Sequence, residues 1–146
     1  ALVIVFDQLI KYWVTDIIIQ QRGIISVTPF FNLVLGHNRG ISFGFFDGNS
    51  PLNQWLLSLV ALAITATLVI WLTRTDKPWV AVALGLIIGG AIGNVIDRLT
   101  GGGVVDFLDF HWGEHHWPAF NVADTGITIG AAALILDSLF VRGGKG

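Results

Sequence analysis

Two aspartates in apolar surroundings are the first candidates for chemistry in this chain. Asp106 stands between a valine and a phenylalanine, and Asp124 lies near the start of a long apolar run. Two carboxylates that approach each other cannot both ionise easily, so they share a proton. One can then act as base towards a water molecule while the other acts as acid towards a substrate carbonyl. Spacing alone does not establish that the two meet, and Asp97 and Asp109 remain alternatives to Asp106.

A polar helical face lies at the end of the apolar run that precedes Asp106. Asn94, Asp97 and Arg98 are spaced i, i+3 and i+4, so they share one side of a helix. One interpretation is a local ion pair between Asp97 and Arg98. The other is an active-site role, in which the planar guanidinium of Arg98 positions a carboxylate or a peptide carbonyl. A second polar face follows the same spacing in the last apolar run: Asn121, Asp124, Thr125 and Thr128.

Asp7 and Lys11 are four residues apart and lie on one face of the first apolar segment. The structural hypothesis is a self-neutralising pair that allows the helix to enter lipid, where unpaired charges are costly. The alternative is a direct catalytic role for Lys11. A serine–lysine dyad with Ser58 can be drawn, although no local pattern supports it.

The histidines offer a competing site. One short loop contains several residues that could bind zinc through nitrogen and oxygen: His111, Glu114, His115 and His116. The loop lacks the His-Glu-x-x-His spacing of zinc peptidases. A polar interfacial loop explains these residues more simply, so we predict no metal site. No nucleotide or flavin motif is present, and we expect no cofactor.

The composition predicts that lipid covers much of this chain. Of the 146 residues, 53% are hydrophobic and only 12% are charged, and the mean hydropathy is +0.72. Soluble domains carry about twice that charged fraction. The net charge of −2 gives no basis for nucleic-acid binding, and the absence of cysteine excludes thiol catalysis and disulfides.

Four segments are candidates for membrane-spanning helices, because each approaches the roughly 20 apolar residues that a span needs. We predict spans at residues 1–19, 52–73, 79–99 and 119–141 within a single membrane domain of residues 1–146. The first segment contains Asp7, Lys11 and Asp16, and it begins without an initiator methionine. Its helix is therefore expected to start upstream of residue 1 or at an engineered end. In the third span, Gly85, Gly89 and Gly93 are expected to let a neighbouring helix approach closely.

Two polar connections separate these spans. In the first, residues 24–27 and 31–35 are predicted to be short strands, and residues 36–48 a curved strand pair or an interfacial segment. Residues 100–118 form the second connection. Basic residues set the orientation weakly: four lie with the 74–77 loop and the C-terminal tail, and three (Arg22, Arg39 and Arg98) lie on the other side. This bias places both termini in the cytoplasm and both connections outside.

Five short motifs together resemble the bacterial lipoprotein signal peptidases, also called signal peptidase II, over essentially the whole chain from Asp7 onward. Each motif is weak by itself, but their order and spacing are specific. They are Asp7-Gln8-x-x-Lys11, Asn38-Arg39-Gly40-Ile41-Ser42-Phe43-Gly44, Gly93-Asn94-x-x-Asp97-Arg98, Val104-Val105-Asp106-Phe107 and Phe120-Asn121-Val122-Ala123-Asp124.

The resemblance implies a four-helix inner-membrane aspartyl endopeptidase with a small extracytoplasmic β-cradle at about residues 23–50. It would remove signal peptides from prolipoproteins whose cysteine carries a diacylglyceryl group, on the periplasmic side of the membrane. Asp106 and Asp124 would be the catalytic pair, and Asp106 is thereby favoured over Asp97 and Asp109. The residues that would support the pair or hold the substrate are Asn38, Gly40, Asn94, Asp97, Arg98, Asn121, Asp7 and Lys11. The expected partners are the prolipoprotein and membrane lipid, with the enzyme as a monomer.

Two other classes of protein compete with this interpretation. A small transporter or proton-coupled channel would use Asp7, Lys11, Asp97 and Asp124 as a relay, and it predicts inverted repeats or broken helices at mid-membrane. No repeat is visible in the sequence. A purely structural membrane protein would use the polar groups to bind helices together, and it leaves the outer connections without a purpose.

Overall fold

Four helices account for most of the chain in a computed structural model that describes residues 1–21, 23–40 and 51–143. The helices are α1 (Leu2–Gln21), α2 (Pro51–Leu72), α3 (Pro78–Gly101) and α4 (Val122–Gly143). Each coincides with a predicted span. Within the described residues, α2, α3 and α4 are long and apolar enough to cross a membrane, whereas α1 does not meet that standard.

The central helix of the packing is α3, which contacts each of the other three helices, while α1 also touches α4. Two of the three spaced glycines allow α1 to pack closely against α3, as predicted. A Cβ atom on Gly89 would lie 2.8 Å from the Cβ of Val3, and one on Gly93 would lie 2.7 Å from Oδ2 of Asp7. Within the described parts of the chain, Gly85 has no neighbouring atom within 4 Å of such a Cβ, so the prediction of close helix approach was wrong at that position.

A four-stranded antiparallel sheet lies beside the helices, in the order β1-β2-β3-β4. Its strands are β1 (Ile25–Thr28), β2 (Phe31–Asn38), β3 (Val104–Trp112) and β4 (His115–His116). The two strands predicted in the first connection are confirmed, and β2 continues three residues further than expected. Of the four strands among the described residues, two come from the second connection, which the predicted cradle at residues 23–50 did not include. The part of the cradle at residues 41–50 lies outside the described residues.

The start of α4 differs from the predicted span, which began at residue 119. Phe120 instead forms a β-bridge with Leu108, in which the Leu108 N–H donates to the Phe120 carbonyl at 2.9 Å. Because the backbone of Phe120 is extended and paired with β3, the helix begins only at Val122. The sheet therefore leads directly into the first turn of α4.

A small apolar core fixes the sheet onto α1. Val14 and Ile18 of α1 pack with Phe107 of β3, and all three are at most 4% exposed. Phe107 follows Asp106 directly. The side chain of Phe107 thus anchors β3 to α1 at the position next to Asp106.

Candidate active site

The first turn of α4 fixes the side chain of Asp124. Asn121 stands immediately before the helix, and its Oδ1 accepts the backbone N–H of Asp124 at 2.9 Å. In return, Oδ2 of Asp124 accepts the backbone N–H of Asn121 at 3.3 Å. This reciprocal arrangement is a capping box, which satisfies two N–H groups that the helix cannot pair internally. Asp124 is therefore held at the end of α4 that meets the sheet.

Asn121 also reaches the second candidate carboxylate. Its Nδ2 donates to Oδ1 of Asp106 at 2.8 Å and to the carbonyl of Val105 at 3.1 Å. Asn121 has no exposed surface, and Asp106 is 5% exposed. One buried amide thus contacts both predicted catalytic aspartates, so the two residues that spacing could not bring together share a partner.

A second amide bridges from α3. Asn94 donates from Nδ2 to Oδ1 of Asp124 at 2.8 Å. Its Oδ1 accepts from Nδ2 of Asn121 at 3.3 Å and from Nζ of Lys11 at 3.4 Å. Amides thereby orient the carboxylates from two sides, without adding charge near them.

The environment of Asp106 favours its protonated form. Burial of the carboxyl and then the negative charge of Asp124 raise the pKa of Asp106 to about 7. Hydrogen bonds from Asn38 and Asn121 act in the opposite direction and limit the rise. A carboxyl group with a pKa near 7 can hold a proton at neutral pH and release it during a reaction.

A buried charged cluster lies behind the two aspartates. Nζ of Lys11 is 2.7 Å from Oδ2 of Asp7 and 2.6 Å from Oδ2 of Asp97. The predicted Asp7–Lys11 pair is confirmed. Asp97 pairs with Lys11 rather than with Arg98 next to it, because the docking of α1 on α3 presents the ammonium group to it. Gln8 completes the cluster by donating to Oδ1 of Asp97 at 2.8 Å.

Arg98 points to the other side of the site. Its Nη2 lies 3.5 Å from the carbonyl of Gly40, whose N–H donates to Oδ1 of Asn38 at 3.1 Å. The charges of Asp124, Asp106 and Asp97 all act on the guanidinium. In the described part of the chain, the buried Nε of Arg98 has no hydrogen-bond acceptor. The guanidinium thus places a positive charge near the carboxylates, with one buried N–H unpaired among the described residues.

A cavity of about 490 Å³ reaches Asp124 from the side of α4. It runs from Trp117 to Ile129, and its lining is mainly apolar, with Thr125 and Thr128 as further polar groups. Such a groove can take an apolar group up to Asp124.

The competing sites do not form as proposed. His116 hydrogen-bonds to Asp109 at 2.8 Å, and its ring stacks on that of His111 at 4.8 Å. Across the residues that the structure describes, no group of three or more His, Asp or Glu side chains could hold a metal ion. Ser58 is buried on α2, and its Oγ has no hydrogen-bond partner among the described residues, so it makes no dyad with Lys11.

Comparisons with known proteins identify the family. Residues 1–140 match the family described as "Signal peptidase (SPase) II". The chain belongs to the signal peptidase II family. Proteins named lipoprotein signal peptidase are similar to it: one from Vibrio cholerae is 51% identical over 116 residues, covering 77% of this chain and 67% of that protein. One from Aeromonas hydrophila is 45% identical over 139 residues, covering 94% of this chain and 83% of that protein.

Two solved structures, each described as a bacterial membrane enzyme determined by the in meso method, share the fold. The first has a TM-score of 0.82 at 30% identity and covers 99% of this chain and 87% of its own. The second has a TM-score of 0.76 at 31% identity, covering 94% and 88%.

Hydrogen bonds and ion pairs connect all ten residues that the signal peptidase resemblance singled out. The acids of the suggested transporter relay belong to this one network, rather than to a chain across the membrane. Gln8 appeared in the motif but was not recognised as part of the site. Its position one residue from Asp7 was the available signal. Four further motif positions, residues 41–44, lie outside the described residues.

Proposed function

We propose that this chain is an aspartyl endopeptidase that removes signal peptides from lipoprotein precursors, with Asp106 and Asp124 as its catalytic pair. The observation that carries the proposal is the shared contact with Asn121, which donates to Asp106 and caps the helix turn that bears Asp124. Similar proteins bear the name lipoprotein signal peptidase, and signal peptidase II enzymes are aspartyl proteases.

The proposed mechanism assigns different tasks to the two carboxyl groups. Asp106, with its raised pKa, is the acid that donates a proton to the carbonyl oxygen of the scissile peptide bond. Asp124 is the base that takes a proton from the attacking water molecule. The resulting tetrahedral intermediate collapses as Asp124 passes its proton to the nitrogen of the leaving peptide and one hydroxyl of the intermediate returns a proton to Asp106. Arg98, whose Nε lacks an acceptor among the described residues, and Gly40 are suited to hold the substrate backbone.

The proposed substrate carries a diacylglyceryl group on the cysteine that follows the cleaved bond. The apolar groove from Trp117 to Ile129 supports this assignment, because it joins a lipid-compatible surface to Asp124. A lipid anchor keeps the substrate at the bilayer surface, which is the depth expected for the start of α4 and the adjoining sheet.

We further propose that α1 is a fourth membrane span and that residues 1–146 form a single membrane domain. Its internal ion pair lowers the cost of inserting Asp7 and Lys11. The enzyme would act as a monomer in the bacterial inner membrane, with the sheet and the carboxylates at the periplasmic face.

The test is incubation of the purified protein with one prolipoprotein in two forms, with and without diacylglyceryl on its cysteine. We expect cleavage directly before the cysteine of the lipidated form and little cleavage of the other. Equal cleavage of both forms would contradict the proposed substrate. Cleavage that survives Asp124→Asn would contradict the proposed mechanism.

A further inference from the structure

Asp97 holds the backbone of Val105, the residue that precedes Asp106. Its Oδ2 accepts the N–H of Val105 at 3.1 Å. On the other side of the same residue, Asn121 donates to the Val105 carbonyl at 3.1 Å. Because hydrogen bonds fix both polar groups of Val105, Asp106 cannot shift relative to α3 without breaking one of them.

Asp7 holds the backbone of Ala123, the residue that precedes Asp124, in a corresponding way. Its Oδ1 accepts the N–H of Ala123 at 2.9 Å. This N–H belongs to the first turn of α4, where the helix itself offers no acceptor. Asp7 has no exposed surface, and its negative charge is favoured at the N-terminus of a helix.

Lys11 connects these two holding residues. Its Nζ contacts Oδ2 of Asp7 at 2.7 Å and Oδ2 of Asp97 at 2.6 Å, and all three side chains are at most 5% exposed. Without the ammonium group, two buried carboxylates would face each other. They would then move apart, or one would take up a proton. Either change would disturb the carboxylate of Asp97, which accepts the Val105 N–H, or that of Asp7, which accepts the Ala123 N–H.

We propose that Lys11 is a positioning residue that sets the separation of Asp106 and Asp124 by holding Asp7 and Asp97 together. The inference rests on the proposed function, because it concerns the geometry of the proposed catalytic pair. Lys11 forms no hydrogen bond to Asp106 or Asp124 in the structure. Its Nζ contacts Asn94 at 3.4 Å, and its charge acts on both catalytic carboxylates. Its loss therefore changes the rate of the chemical step more than it changes substrate binding.

A separate cavity gives access to this cluster. It has a volume of about 350 Å³ and is lined by Gln8, Lys11, Tyr12, Thr15, Asp16, Asp97 and Val105. None of these residues lines the groove at Asp124. A small primary alkylammonium ion can therefore reach the vacated position when the Lys11 side chain is shortened, without occupying that groove.

The experiment measures cleavage of a lipidated prolipoprotein by the full chain and by Lys11→Ala. A misplacement of about 1 Å lowers rates by about 10²-fold, so we expect kcat to fall by about that factor with KM little changed. Ethylammonium should restore about tenfold or more of the lost kcat, because it supplies charge and N–H donors, each factor of ten being about 1.4 kcal/mol. Tetramethylammonium, which has the charge but no N–H group, should restore nothing.

The matched control is Lys77→Ala. Lys77 also pairs with an aspartate, Asp137, at 3.2 Å, but this pair is partly exposed and joins the start of α3 to the later part of α4. We expect its kcat to equal that of the unaltered chain, with no response to ethylammonium.

A conservative variant covers the case in which Lys11→Ala does not fold. Lys11→Arg keeps the charge, but its planar fork cannot put a single nitrogen between the two carboxylate oxygens. It should fold and show a lower kcat with a normal KM. Full activity of Lys11→Arg, an unchanged kcat in Lys11→Ala, or equal rescue by both ammonium ions would overturn the inference. Full cleavage by Asp106→Asn would instead overturn the proposed function, and this inference with it.

Discussion

Two buried aspartates of β3 allow a comparison in which activity and stability change in opposite ways. Asp106 and Asp109 are 5% and 6% exposed, and each accepts a hydrogen bond from an asparagine, at 2.8 Å from Asn121 and at 3.0 Å from Asn32. Replacing each by asparagine removes one charge and keeps the size. Only Asp106 belongs to the proposed catalytic pair.

For Asp106→Asn we expect a large loss of activity without a loss of stability. Asparagine cannot donate an acid proton, and general acid–base assistance amounts to about 10²–10⁴-fold, so kcat should fall at least about 10²-fold. The pKa of Asp106 in the folded chain is about 7, because of burial and the charge of Asp124, against a usual value of 3.8. Between about pH 3.8 and 7 the unfolded chain is ionised here while the folded chain keeps the proton, so the free energy of unfolding falls over this range and the penalty is complete above pH 7. At pH 8 the substitution should leave the free energy of unfolding unchanged or raise it by up to about 4 kcal/mol.

For Asp109→Asn we expect the reverse. Burial opposes ionisation of Asp109, but hydrogen bonds from His116 and Asn32 outweigh it and lower the pKa of this carboxyl. Asparagine loses the charged bond to His116. The free energy of unfolding should fall by about 1–2 kcal/mol. This value is towards the low end for a charged hydrogen bond, because half of the His116 side chain is exposed. The cleavage rate should stay within about threefold of the unaltered chain, since general acid–base assistance is untouched.

Both quantities are measurable on the same detergent-solubilised samples. Cleavage of a lipidated prolipoprotein gives kcat, and denaturant unfolding at pH 8 gives the free energy of unfolding. A folded Asp106→Asn variant with a near-normal rate would refute the assignment of the acid. A stable but inactive Asp109→Asn variant would show that the catalytic carboxyl is Asp109, three residues further along β3.

Three other predictions follow from the site and its surroundings. Because Asp106 must be protonated to act as acid, kcat/KM should fall as pH rises through about 7. The residual activity of Asp106→Asn should not show this fall. A flat profile of kcat/KM from pH 6 to 9 in the unaltered chain would be inconsistent with the mechanism. Reporter fusions should place Lys77 in the cytoplasm and Glu114 outside, and a cytoplasmic Glu114 would put the site on the wrong side of the membrane. Chelators should leave the rate unchanged, and the double change His115→Ala, His116→Ala should lower it less than about threefold; zinc-restored activity after metal removal would move the chemistry to the histidine loop.

The helices were predictable because a segment that crosses a lipid bilayer must be long and mostly apolar, and both properties can be read from the sequence. The four predicted spans match the helices closely, with the largest error at the start of α4. There the apolar residues before Asn121 suggested helix, but pairing of Phe120 with Leu108 draws them into the sheet. The capping pattern of Asn121 and Asp124 was present in the sequence and marks the true start.

The long-range contacts were not predictable from one sequence. The strand β3 pairs with β2 across more than 60 residues, as in the match of Leu33 with Leu108, and no local turn signal reveals such a partner. The Asp7–Lys11 pair was predictable because helical spacing alone brings the two together. The pairing of Lys11 with Asp97 was not, because it depends on how α1 docks on α3.

The bridge between Leu108 and Phe120 determines where this chain can change in length. Between these two residues the chain makes a hairpin whose tip, at Gly113, has a φ of 58° and lies beside the 87%-exposed Trp112. Residues inserted at the tip would extend the hairpin into solvent and leave both ends of the bridge in register. One residue inserted between Ala123 and Asp124, within the first turn of α4, would instead turn Asp124 by about 100° around the helix axis, the angle per residue of a helix, and away from Asp106. The hairpin tip is therefore the natural point for an epitope or a single reporter cysteine, in a chain that otherwise contains no cysteine.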